Sequence, residues 1–145
     1  MAEEKTIRLT ADQLMQQYRV ERSKLSELTR RRNQLVASVF ETDMALKAAE
    51  AIEKADKNES VLVPLGAGLY IDAAVKNNST LKYTMAGNIA LEMTFKKARE
   101  KIEKRKDVLS KELNAIKEER KRTGKNVRTM ENIFAQMQQQ QKPKQ

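Results

Sequence analysis

The sequence predicts an α+β fold in which two long helices fold back on each other as an antiparallel coiled coil, with two β-hairpins between them in the chain. Three observations carry this prediction. Residues 10–57 and 95–137 hold apolar positions alternately three and four apart, the spacing of a coiled-coil seam, and neither stretch contains proline. Residues 60–94 change to short runs of β-branched, aliphatic and aromatic residues separated by glycine and asparagine. The chain of 145 residues is 34% charged and only 4% aromatic, which suits elongated, solvated helices better than a compact globule.

The first helix is expected over residues 10–57. It opens at "TADQ", where Thr10 at the N-cap and Gln13 at the third helical position can each satisfy the other's backbone donor. One line of the seam takes Tyr18, Leu25, Arg32, Val39 and Leu46, and the other takes Leu14, Glu21, Leu28, Leu35, Thr42 and Ala49. Such a helix is roughly 70 Å long.

The middle of the chain, 60–94, reads as two hairpins. "VLVPL" (61–65) and "LYIDAAV" (69–75) flank Gly66 and Gly68; "TLKYTM" (80–85) and "IALEMT" (89–94) flank "AGN". The Gly-x-Gly is a weak phosphate-binding signal. A dinucleotide fingerprint needs a third glycine and a helix after it, whereas position 71 is Ile and the following residues are strand formers. The glycines therefore serve a turn. Pro64, which lacks a backbone donor, belongs at a sheet edge or a bulge. An isolated hairpin is marginal in water, so Val61, Val63, Leu65, Leu69 and Ile71 need apolar cover from another copy or another subunit. An oligomer is expected.

The second helix is expected over 95–137. Phe95, Ile102, Leu109, Ile116, Met130 and Met137 recur at multiples of seven, and Leu113, Val127 and Phe134 stand four residues after positions of that sevenfold spacing. Thr123 and Gly124 interrupt the stripe, and a glycine inside a helix costs about 1 kcal/mol. The two helices are nearly matched in length, so folding back brings residues 10–18 beside 130–137 at a looser end. Residues 138–145, Gln-rich and polar, are expected to form a disordered tail. The whole chain, 1–145, counts as one domain.

Composition narrows the chemistry. There is no Cys, His or Trp, so the usual general base, reactive thiol and soft metal ligands are missing, and the expectation is a protein that is not an enzyme and uses no metal or cofactor. The first residues lack a signal-peptide pattern, and the apolar run near 61–71 is too short and broken to span a bilayer. A soluble, cytoplasmic protein with no membrane partner is expected.

Long helix, "VLVPLGAGLYIDAAV", a second hairpin with "AGN" at its turn and another long helix together resemble the α class of the prefoldin family. The resemblance is architectural over nearly the whole chain and textual over 61–75. Two hairpins fit the α class, since β-class subunits have one. The resemblance implies a hexamer of two α-class and four β-class subunits whose hairpins build a β-barrel head and whose coiled coils project from it. It also implies an ATP-independent holdase that captures unfolded client proteins at the coiled-coil tips and passes them to a group II chaperonin. The tip residues of this chain are Ile7, Leu9, Leu14, Met15 and Tyr18 with Met130, Ile133, Phe134 and Met137. Leu14, Tyr18, Met130 and Phe134 divide evenly between completing the seam and touching a client. Met15, Ile133 and Met137 lie off the seam or near its end, which favours client contact; methionine re-packs readily around irregular partners.

A rival reading follows from charge. Residues 95–128 hold 14 Lys/Arg against 6 Asp/Glu, a balance of +8 within a chain of net charge +9, which would suit a coiled-coil scaffold binding nucleic acid through phosphates. Acids are mixed into that stretch, and past Phe95 no aromatic residue stands in it for base stacking. A charge run on a long helix is ordinarily its solvated face, so nucleic acid is disfavoured as a partner.

Overall fold

The computed structural model describes residues 10–85 and 87–140. The chain order is α1 (Ala11–Lys54), β1 (Ser60–Gly66), β2 (Leu69–Ala74), β3 (Thr80–Thr84), β4 (Ala90–Thr94) and α2 (Phe95–Gln140). These residues fall into two compact units: residues up to Val36 with those from Glu112 onward, and Ala37–Lys111.

The start of α1 is the reciprocal cap that its sequence predicts. The Thr10 backbone N–H donates to Gln13 Oε1 at 3.0 Å, and the Gln13 N–H donates to Thr10 Oγ1 at 3.3 Å. The helix ends at Lys54, three residues short of the expected Lys57. At Asn58 the backbone turns left-handed (φ 70°), and its N–H donates to Val75 O at 2.9 Å, so the chain leaves the helix to extend the β1–β2 ladder. Asn78 Nδ2 donates to the Ala55 carbonyl at 3.0 Å, occupying an acceptor near the helix end. At the other helix, Thr94 Oγ1 accepts from the Lys97 N–H at 3.4 Å and marks the start of α2. Gln138, Gln139 and Gln140 continue α2 beyond the expected end at Met137. Glutamine is a good helix former, and the polar tail expected over 138–145 is helical as far as the described residues go.

In the unit of the chain ends, residues 11–36 of α1 run antiparallel to 112–140 of α2. Leu14, Leu28 and Leu35 from one helix and Leu113, Thr123 and Val127 from the other are its buried residues. Every member of the predicted α1 seam in this unit is buried or half-buried, including Glu21 and Arg32. Thr123 does not interrupt the stripe as the sequence suggested. It stands seven residues after Ile116 and seven before Met130, and at 3% exposure it fills a seam position. Gly124 sits within an unbroken helix, where an added Cβ would lie 3.9 Å from the Leu25 Cδ1 atom. Lys24 with Glu119 (2.8 Å) and Arg31 with Glu112 (2.5 Å) tie the two helices at the margin of the seam.

In the second unit, residues 37–54 and 95–111 form the same antiparallel pairing, held by Lys106 with Asp43 (2.5 Å) and by Arg99 with Glu53. Thr42, Val75, Phe95 and Ala98 are buried there. The two hairpins are separate two-stranded sheets, β1–β2 and β3–β4. In the first, Val61 faces Ala73 and Val63 faces Ile71, and the register shifts between Pro64 and Gly66, so Pro64 sits beside a bulge. The turn carries Gly66 (φ 100°), Ala67 (φ 50°) and Gly68 (φ 81°). These left-handed angles account for the glycines, and a second strand follows them instead of the helix that a phosphate cradle requires. In the second hairpin Leu81 faces Met93 and Tyr83 faces Leu91, and the Met85 N–H closes the turn onto Ile89 O at 2.9 Å. Leu81, Lys82 and Tyr83 border a pocket whose other walls are Ala45, Ala48, Ala49, Ile52, Ala98 and Ile102 of the two helices. The Lys101 ammonium lies 5.3 Å from the centre of the Tyr83 ring.

Candidate functional site

The α1 N-terminal and α2 C-terminal segments enclose an open groove of about 570 Å³, lined by Ala11, Asp12, Met15, Tyr18, Glu131, Phe134, Ala135, Met137 and Gln138. Its geometry follows from helical periodicity. Met15 and Tyr18 are one turn apart on α1, as are Phe134 and Met137 on α2, so antiparallel packing places two apolar pairs opposite each other. Tyr18 and Phe134 meet edge to face, with ring centroids 5.5 Å apart. The Tyr18 hydroxyl donates to Glu131 Oε1 at 3.0 Å and accepts from Arg22 Nη1 at 3.3 Å. The ring therefore has one apolar edge in the groove and a polar tip held at its rim.

The tip residues picked out from sequence separate by burial. Leu14 is buried and belongs to the seam. Tyr18, Met130, Phe134 and Met137 are half-buried, with Tyr18, Phe134 and Met137 also lining the groove. Met15 is 42% exposed and Ile133 37% exposed, so Met15 presents free apolar surface inside the groove and Ile133 lies outside its lining. Ile7 and Leu9 lie outside the described residues. Glu131 was not anticipated: as an acid in a Met-rich stretch it carried no apolar signal, and only the fold pairs it with Tyr18.

The five hairpin residues expected to need cover are poorly covered by their own chain. Val63, Leu65, Leu69 and Ile71 are exposed, Leu65 and Leu69 each at 64%, while Val61 is half-buried. Leu62 and Tyr70 on the opposite face of the same ladder are equally open, and Met85, Ile89 and Leu91 are exposed on the second hairpin. Leu62, Pro64 and Tyr70 alternate with the five residues expected to need cover, so the hairpin has apolar residues on both faces.

The electrostatics of the helices are those of a solvated coil. The ammonium of Lys24 beside Glu119 holds that carboxyl below its ordinary value, and the hydrogen-bonded carboxylate raises the Lys24 pKa. Asp43 raises Lys106 in the same way, and Lys54 lowers Glu50. No group of His, Cys, Asp and Glu able to hold a metal ion occurs among the described residues, and no described helix is long and apolar enough to cross a membrane.

Comparison with known proteins agrees with this architecture. Residues 22–140 match the family model described as Prefoldin subunit. The chain is 29% identical to prefoldin subunit alpha of Thermofilum pendens over 68% of its own length and 77% of the relative's. It is 27% identical to prefoldin subunit alpha of Methanosarcina acetivorans, over 71% and 72%. Among solved structures, the filamentous PFD of Methanocaldococcus jannaschii, determined by cryo-EM, shares the fold with a TM-score of 0.64 at 17% identity, over 81% of this chain and 95% of that one. The chain belongs to the prefoldin family. Its two hairpins and its α-named relatives make it an α-class subunit.

Proposed function

We propose that this chain is the α-class subunit of a cytoplasmic, ATP-independent holdase that captures unfolded polypeptides at its coiled-coil tips and transfers them to a group II chaperonin. The observation that carries the reading is the Met15–Tyr18–Phe134–Met137 groove, an open apolar surface at the end of an otherwise charged coil. An open groove lined by apolar side chains with a few polar groups at its rim suits the tip to binding, and methionine suits it to irregular partners. The hairpins supply the assembly surface. Their exposed Val63, Leu65, Leu69 and Ile71, with Leu62 and Tyr70 behind, would be covered by β-class subunits in a complex of two α and four β, the head closing as a β-barrel. Family membership supports the chaperone role, and the absence of His and Cys supports a mechanism without catalysis.

The test is suppression of aggregation of a chemically denatured model enzyme, followed by light scattering with the chain and a β-class subunit present. The expected result is suppression at near-stoichiometric ratios, unchanged when ATP is added or depleted. No suppression at any ratio, or hydrolysis of ATP by the clean complex, would overturn the reading.

A further inference from the structure

Beside the apolar groove lies a second one, lined by Leu25, Arg120, Lys121, Gly124, Lys125, Val127, Arg128 and Glu131, with a volume of about 540 Å³. Glu131 is common to both linings, so the two surfaces adjoin within one unit. Gly124 forms part of its lining, and four cations border it against one acid. That acid is engaged with the Tyr18 hydroxyl at the other rim. Arg120 Nε donates to Thr29 Oγ1 at 3.3 Å, and Lys121, Lys125 and Arg128 have no salt-bridge partner among the described residues. Lys121, Lys125 and Arg128 stand at i, i+4 and i+7 on one face of α2, roughly 6 and 4.5 Å apart along the axis.

Resting on the client-capture reading, we propose that the tip selects a class of client: unfolded segments in which an apolar cluster is flanked by acidic residues. The apolar cluster occupies the Met15–Tyr18–Phe134–Met137 groove, and the flanking carboxylates lie along Lys121, Lys125 and Arg128. A segment flanked by lysines meets the same apolar groove and is repelled by the neighbouring one. Charge complementarity across adjoining surfaces sets preference by favouring one sign and penalising the other.

The test uses the full chain in complex with a β-class subunit and three fluorescent peptides with the same apolar core, one flanked by glutamates, one by lysines and one by uncharged residues. Binding is followed by anisotropy at low and high salt. Exposed ion pairs contribute roughly a factor of two each, so three give an expected preference of about fivefold to tenfold for the acidic peptide at low salt. High salt should shrink that preference, and the triple variant Lys121→Gln, Lys125→Gln, Arg128→Gln should abolish it while leaving the affinity of an uncharged peptide unchanged. Equal binding of the two charged peptides, or a preference that survives in the triple variant, overturns the proposal and leaves client capture standing. Failure of all three peptides to bind overturns the capture reading itself. A single-stranded oligonucleotide that binds the same residues more tightly than the acidic peptide assigns the groove to nucleic acid and also overturns the proposal.

Discussion

The Tyr18 ring stands edge-on to Phe134 with centroids 5.5 Å apart, joining the first turns of α1 to the last turns of α2. Such pairs contribute about 0.5–1.5 kcal/mol beyond the area they bury. A double-mutant cycle of Tyr18→Ala and Phe134→Ala, read by denaturant unfolding, should return a coupling energy in that range. Tyr18→Phe keeps the ring contact and loses two exposed hydrogen bonds, so its cost should fall at or below about 2 kcal/mol.

Gly124 is helical, and an added Cβ would meet the Leu25 Cδ1 atom at 3.9 Å, an ordinary van der Waals distance. Removing the glycine's backbone freedom should therefore outweigh any steric cost. Gly124→Ala is expected to stabilise the protein by roughly 0.5–1 kcal/mol, measured as a rise in the denaturant midpoint at constant slope.

The exposed hairpin predicts a separation of folding from association. Val63→Asp with Leu65→Asp places two carboxylates on a surface that is already open in the single chain, so the helices should form as before. Sedimentation should show loss of the oligomer while circular dichroism keeps its helical signal. An unchanged oligomer would remove the hairpin from assembly.

The ion pairs set the response to pH. Glu119 and Glu50 are held below their ordinary 4.5, so their contribution is present above that value and is lost as pH falls through the lowered folded pKa. Lys24 and Lys106 are raised above 10.5, so theirs is present below that value and is lost as pH rises through the raised folded pKa. With no histidine in the chain, stability should be flat through the neutral range and fall only in strong acid and strong alkali. A melting-temperature series across pH checks this, and a step in the neutral range would contradict it.

Much of this fold is written in short-range pattern. The Thr10–Gln13 cap, the α1 seam and the two hairpins follow from spacing and turn chemistry, because helix and strand periods differ enough to be read locally. Thr123 was misjudged because residue type was weighed over position: its place in the sevenfold series buries it despite the hydroxyl. The α1 end at Lys54 depends on Asn58 pairing with Val75, a contact between residues seventeen apart that no local signal encodes. The apolar character of the tip was legible in Met15, Tyr18, Phe134 and Met137. Its arrangement into two adjoining grooves was not, since that depends on which α2 residues stand opposite Leu25 and Tyr18.

Capture of unfolded chains at the tip is tested most directly by polar replacement of open apolar side chains in the groove, Met15 and Met137, and beside it, Ile133. Met15→Ser, Ile133→Ser and Met137→Ser change exposed or half-buried positions and leave the buried Leu14 in place. The triple variant is assembled with a β-class subunit, sized, and assayed by light scattering against a denatured model enzyme. Each lost side chain removes apolar contact area contributing roughly 25 cal/mol per Å². The expected result is an assembled complex of unchanged size that needs at least about tenfold more protein for the same suppression, equivalent to about 1.4 kcal/mol of lost binding. An assembled variant that suppresses aggregation at the stoichiometry of the intact protein would contradict it.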